Sequence, residues 1–134
     1  MVLLPLLVGL AMAPAVAAFA RLAGFDRDRS FYPVMLISFA LLYMLFAVMG
    51  SGGALLLAET PGLLVFGLVA VVGFRTSLWI VAAGLFGHGL FDAVHGAFVA
   101  NPGVPPWWPA FCAGFDITAA LCLALKLRRA PAAA

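Results

Sequence analysis

Five apolar runs of roughly 20 residues, separated by breaks of charge, glycine or proline, set the limits on how this chain folds: about 2–20, 31–49, 54–74, 77–99 and 109–127. A hydrocarbon core about 30 Å thick is crossed by roughly 20 apolar helical residues. Composition agrees, with 66% hydrophobic and 9% charged residues and a mean hydropathy of +1.21. A water-soluble domain of 134 residues could not hide so much apolar surface. The reading is an all-α fold, a single polytopic transmembrane domain over 1–134 with five spans.

The breaks carry their own signals. The first run ends in Arg21 and is followed by Asp26, Arg27, Asp28 and Arg29. Ala15-Val16-Ala17 resembles a signal-peptidase site, but a signal peptide carries its positive charge before the apolar region. The first run is therefore read as a retained span, bent by Pro5 and Pro14. Gly50 to Gly53 predicts a tight turn. In Glu59-Thr60-Pro61, Thr60 suits the cap of a helix whose first residue is Pro61. Residues 54–59 are then either a separate outer segment or the upper half of a broken span. Asn101 to Pro109 is too rich in proline for a helix. Its Trp107 and Trp108 suit the headgroup layer, with Trp79 and Tyr32 as anchors on the opposite side. The tail Ala130 to Ala134 is expected to fray.

Charge placement predicts the threading. All seven cationic residues, Arg21, Arg27, Arg29, Arg75, Lys126, Arg128 and Arg129, lie in the first and third breaks and the C-terminal tail. Cytoplasmic loops carry the excess of Lys and Arg, so the N-terminus is expected outside and the C-terminus in the cytoplasm of a multi-pass cell-membrane protein. The net charge of +2 is clustered between spans and points to no nucleic-acid partner. Cys112 and Cys122 are about 15 Å apart along one predicted helix and cannot bridge each other.

The polar residues of the apolar runs are few and patterned. Gly87 to Gly96 holds both histidines, and His88, Asp92 and His95 fall within an arc of about 60° on one helix face. Ionisable groups in a span face protein, water or ligand. At 1.5 Å of rise per residue, His95, Asp92 and His88 lie about 6, 10 and 16 Å below the outer helix end. Asp116 on the fifth span comes out near 10 Å and Glu59 on the third near 8 Å. All five occupy the outer half of the bilayer. The fourth and fifth spans share a short connection, which predicts that they are neighbours.

Two imidazoles with two or three carboxylates form a ligand set for Zn, Fe or Mn. The reading preferred from sequence is an intramembrane metal site formed by His88, Asp92, His95 and Asp116. Glu59 is the candidate general acid or base, and Cys112 or Glu59 is able to complete the shell. Such a site belongs to a metal-dependent enzyme acting on a lipid or membrane-soluble substrate, with the bilayer as its first partner. The alternative is a small ion- or proton-coupled transport or accessory subunit without chemistry. A hydrogen-bonded network holding the helices together is the remaining option. Haem ligation is disfavoured, because His88 and His95 share one helix face. Five short helices enclose little volume, which makes a homodimer a reasonable expectation.

The run His88-Gly89-Leu90-Phe91-Asp92-Ala93-Val94-His95, followed by the proline-rich turn and Cys112-Ala113-Gly114-Phe115-Asp116, resembles a family of small polytopic bacterial membrane proteins of unknown function. In that family a His-x-x-x-Asp-x-x-His helix precedes a Cys-x-x-x-Asp helix. The resemblance covers the last third of the chain, implies a bacterial inner membrane and implies no activity. Membrane hydrolases that hold zinc with His and Asp, such as the ceramidase-like group, are similar in residue types only. This chain has fewer spans than they do and only two histidines.

Overall fold

Left-handed glycines close the first two helices of the computed structural model, which describes residues 2–129. Helix α1 (Leu3–Ala23) stops at Gly24, whose φ of +82° a side chain would strain. Helix α2 (Phe31–Ser51) stops at Gly52 with φ +59°. Helix α3 is Leu56–Arg75, α4 is Leu78–Phe98 and α5 is Trp108–Arg129. Ser77 starts α4 in an extended conformation, its hydroxyl accepting from the Trp79 amide at 3.3 Å. Among the described residues there are five helices and no strand, and each helix is long and apolar enough to cross a membrane. The tail Ala130 to Ala134 lies outside the described residues.

Several boundaries differ from the sequence reading. Helix α1 continues through Arg21 to Ala23 and α5 through Arg128 and Arg129; basic residues in a last turn complement the helix dipole and need not end it. Helix α3 runs unbroken through Pro61, and the Thr60 hydroxyl donates back to the Leu56 carbonyl at 2.7 Å instead of capping a shorter helix. Tyr32 is not a lipid-facing anchor: it is buried in the core beside Leu36, whereas Trp79 and Trp107 are exposed.

Two helices form the centre. Helices α4 and α5 bury eight and nine residues, against three each in α1 and α3. Helix α5 lies between α1 and α4, and α4 also packs on α3 and α2. Glycine sets the close approaches. A Cβ at Gly9 of α1 would land on the Phe111 carbonyl of α5, and one at Gly114 of α5 on the Leu6 carbonyl of α1. A Cβ at Gly89 of α4 would sit 3.1 Å from the Ala113 carbonyl oxygen and 2.9 Å from Ile117 of α5. Small residues admit this kind of contact between spans.

The outer faces are apolar, with Leu57, Leu64, Val65 and Leu68 of α3 among the exposed side chains. No aqueous surface tolerates such a continuous coat, and a lipid bilayer is its natural medium. At one end of the bundle the Arg29 guanidinium donates to the Phe74 and Thr76 carbonyls, each at 3.1 Å. Lys126 pairs with the Asp26 carboxylate at 3.0 Å and donates to the Asp26 carbonyl. These contacts tie the 24–30 loop to the C-terminal ends of α3 and α5, so the cationic side chains share that end. At the other end, Gly50 meets the backbone of Gly103 in the 99–107 loop.

Candidate metal centre

Helix α4 stacks His88, Asp92 and His95 on its buried face, none more than 2% exposed. The bare face at Gly89 lets α5 approach, and this brings Asp116, itself fully buried, level with His88. His88 Nδ1 lies 2.7 Å from Asp116 Oδ2 and 3.2 Å from Asp92 Oδ2. Only the Asp116 contact has hydrogen-bond geometry, so Asp92 Oδ2 stays unpartnered despite its proximity. Asp92 Oδ1 accepts from the Tyr43 hydroxyl of α2 at 2.6 Å. The Phe66 ring of α3 closes the remaining side, edge to face with His88 at 4.6 Å between centroids.

The arrangement is short of positive charge. Two carboxylates and one imidazole are buried together, and a protonated imidazole would still leave one negative charge. Buried charge must be neutralised by a proton or a cation. Among the described residues His88 Nε2, Asp92 Oδ2 and Asp116 Oδ1 also have no hydrogen-bond partner, and buried polar atoms of this kind call for an explanation such as an ion. One ligating atom from each of His88, Asp92 and Asp116 lies within 4.8 Å of the others. A tetrahedral shell with bonds of about 2.1 Å places its ligands roughly 3.4 Å apart, so small side-chain rotations would close this group on a metal ion.

The structure does not bring all the sequence candidates into that group. His95 Nε2 is bonded instead to Glu59 Oε2 of α3 at 2.9 Å. Glu59 Oε1 accepts from Asn101 Nδ2 at 2.7 Å, and the same amide reaches the Tyr43 carbonyl at 3.3 Å. Cys112, one turn before Asp116 on α5, is buried and lies outside the His88 group. Both cysteines are free thiols.

Tyr43 joins the two clusters. Its ring stacks on His95, 3.9 Å between centroids and 28° between planes, while its hydroxyl holds Asp92. A void between His88 and Glu59, walled by Tyr43, Phe66 and Phe91, has no room for a water-sized sphere. Beyond His95 a cavity of about 400 Å³ opens at the end of the bundle away from the cations, lined by Asn101, Pro102, Pro105 and Pro109. A chain of polar side chains thus leads inward from that mouth through His95, Tyr43 and Asp92 to His88 and Asp116, with a ring stack and not a hydrogen bond between His95 and Tyr43.

Tyr43 and Asn101 escape a search for ionisable groups alone. Counted from Met49, however, Tyr43 lies about 9 Å from the end of the bundle that carries the mouth, the same depth as Asp92 and Asp116 from that end. That coincidence was available in the sequence. Comparison with protein-family models, curated proteins and solved structures gives no match, so the chemistry rests on these side chains alone.

Proposed function

We infer that this multi-pass membrane protein binds a divalent Zn, Fe or Mn ion through His88, Asp92 and Asp116 and works as a metal-dependent enzyme on a lipid or membrane-soluble substrate. The observation that carries this reading is the set of unpartnered, fully buried ligating atoms on His88, Asp92 and Asp116, which share the softness and geometry such ions accept. When bound, such an ion would supply Lewis acidity.

His95 is assigned to acid–base work at the mouth and not to the ligand shell. His95 lines the cavity, and because its Nε2 is bonded to Glu59 Oε2, its Nδ1, which makes no hydrogen bond among the described residues, is the candidate base. Glu59 fixes the imidazole, and Asn101 holds the Glu59 carboxylate in place. The cavity volume falls in the range of roughly 300 to 1,000 Å³ usual for small-ligand sites. In this reading the N-terminus and the mouth face outside and the cationic end faces the cytoplasm of a bacterial inner membrane.

Metal analysis of the purified chain tests it. Wild type should carry about one equivalent of divalent metal, His88→Ala and Asp116→Ala should lose it, and Glu59→Gln should keep it. Wild type without stoichiometric metal would end the enzyme reading. The polar chain from the mouth also favours ion or proton movement, which predicts a pH-dependent flux in liposomes that Asp92→Asn abolishes. Against it, no ionisable side chain continues the chain along α4 from His88 to its cationic end.

A further inference from the structure

Helices α1 and α5 touch closely where Gly9 meets Phe111, but they leave a cleft of about 570 Å³ between them at the cationic end. Four cations line it: Arg21 of α1, Arg27 of the following loop, and Lys126 and Arg129 of the last turns of α5. Asp26 is the one lining carboxylate among the described residues, and it is already paired with Lys126 at 3.0 Å. Three of the four positive charges therefore have no lining acid to answer them. The wall below is apolar, formed by Ala17 and Ala18 on α1 and Leu125 on α5, with the Tyr32 phenol beside them.

A cationic rim over an apolar wall, placed where the last helical turns leave the hydrocarbon, complements an amphiphile with an anionic head. Guanidinium forks bind phosphate oxygens in pairs, and basic pockets between spans take anionic headgroups. The small side chains of Ala17 and Ala18 leave room for an acyl chain to run along α1 toward the bilayer centre. The volume lies within the range of roughly 300 to 1,000 Å³ usual for small-ligand sites.

We propose that this cleft binds the phosphate headgroup of an anionic phospholipid. The site is separate from the His88 group, and its assignment holds whichever way the chain is threaded.

The test is native mass spectrometry of the full chain released from nanodiscs of phosphatidylcholine containing a minor fraction of phosphatidylglycerol. One phosphatidylglycerol should stay bound per chain under activation that strips phosphatidylcholine. Each arginine near an anionic headgroup contributes about fivefold, so Arg27→Gln/Arg129→Gln should lower retention by about 25-fold. Arg75→Gln/Arg128→Gln removes the same charge at the same end outside the cleft and should leave retention unchanged. Arg27→Lys/Arg129→Lys keeps the charge and the fold and should retain the lipid preference, more weakly. Equal losses in both glutamine pairs, or no preference for phosphatidylglycerol in wild type, would overturn the site. Displacement of the lipid by millimolar inorganic phosphate alone would reassign the cleft to a free anion and overturn the lipid.

Discussion

Tyr43 does more than its residue type suggests, since its hydroxyl, ring and carbonyl serve Asp92, His95 and Asn101 respectively. Tyr43→Phe keeps the ring stack and strands Asp92 Oδ1. It should destabilise the chain by about 1 to 2 kcal/mol, the scale of one buried hydrogen bond between spans, as read by thermal unfolding in detergent. Outside the membrane, the Asp28 carboxylate accepts first from the Ser30 hydroxyl at 2.5 Å and then from the Ser30 amide at 2.8 Å. These bonds hold its pKa below the ordinary 3.8. A depressed acid stabilises the fold above its unfolded pKa, and that contribution is lost as pH falls through the lower folded value. Ser30→Ala should raise the Asp28 pKa toward 3.8, measured by carboxyl NMR titration, and shift the acid edge of that contribution upward. At this scale the ionisable members of the site were legible, because charges inside apolar runs stand out. Tyr43 and Asn101 were not: tyrosine is ordinary in an apolar helix, and Asn101 before Pro102 reads as a turn former. The pairing of His95 with Glu59 was also hidden, since it depends on where α3 lies sideways against α4.

The elements themselves were written in the apolar runs, and the breaks at Gly24 and Gly52 closed α1 and α2 where left-handed backbone was needed. What the runs do not encode is contact. Helix α5 between α1 and α4 follows from the bare faces at Gly9, Gly114 and Gly89, and glycine in a span looks alike whether it faces lipid or another backbone. Pro61 left the start of the third helix open for a related reason. A proline near a helix start resembles a first residue, yet α3 begins at Leu56 and tolerates it. Gly9→Ala would drive a methyl into the Phe111 carbonyl and Phe115 amide, and should cost about 1 to 3 kcal/mol as an overpacking change. Gly67→Ala on α3, where nothing lies within 4 Å, should be neutral or slightly stabilising through helix propensity. Paired unfolding curves of the two variants check the assignment of the α1–α5 contact.

For the molecule as a whole, the cationic end and the polar mouth are opposite poles of one bundle, and the threading proposed above assigns each pole a side. In a Cys122→Ala background, Ala54→Cys should react with an impermeant maleimide on intact cells, and Thr76→Cys only after permeabilisation; the reverse pattern would invert the orientation. The larger claim is that α4 and α5 are joined by an ion at the depth where His88, Asp92 and Asp116 converge. Anomalous diffraction at a transition-metal absorption edge, from crystals of the full chain, reads this directly. One anomalous peak should lie within bonding distance of His88, Asp92 and Asp116 and away from Glu59. Well-phased density with those three side chains ordered, only water between them and no anomalous peak would contradict it.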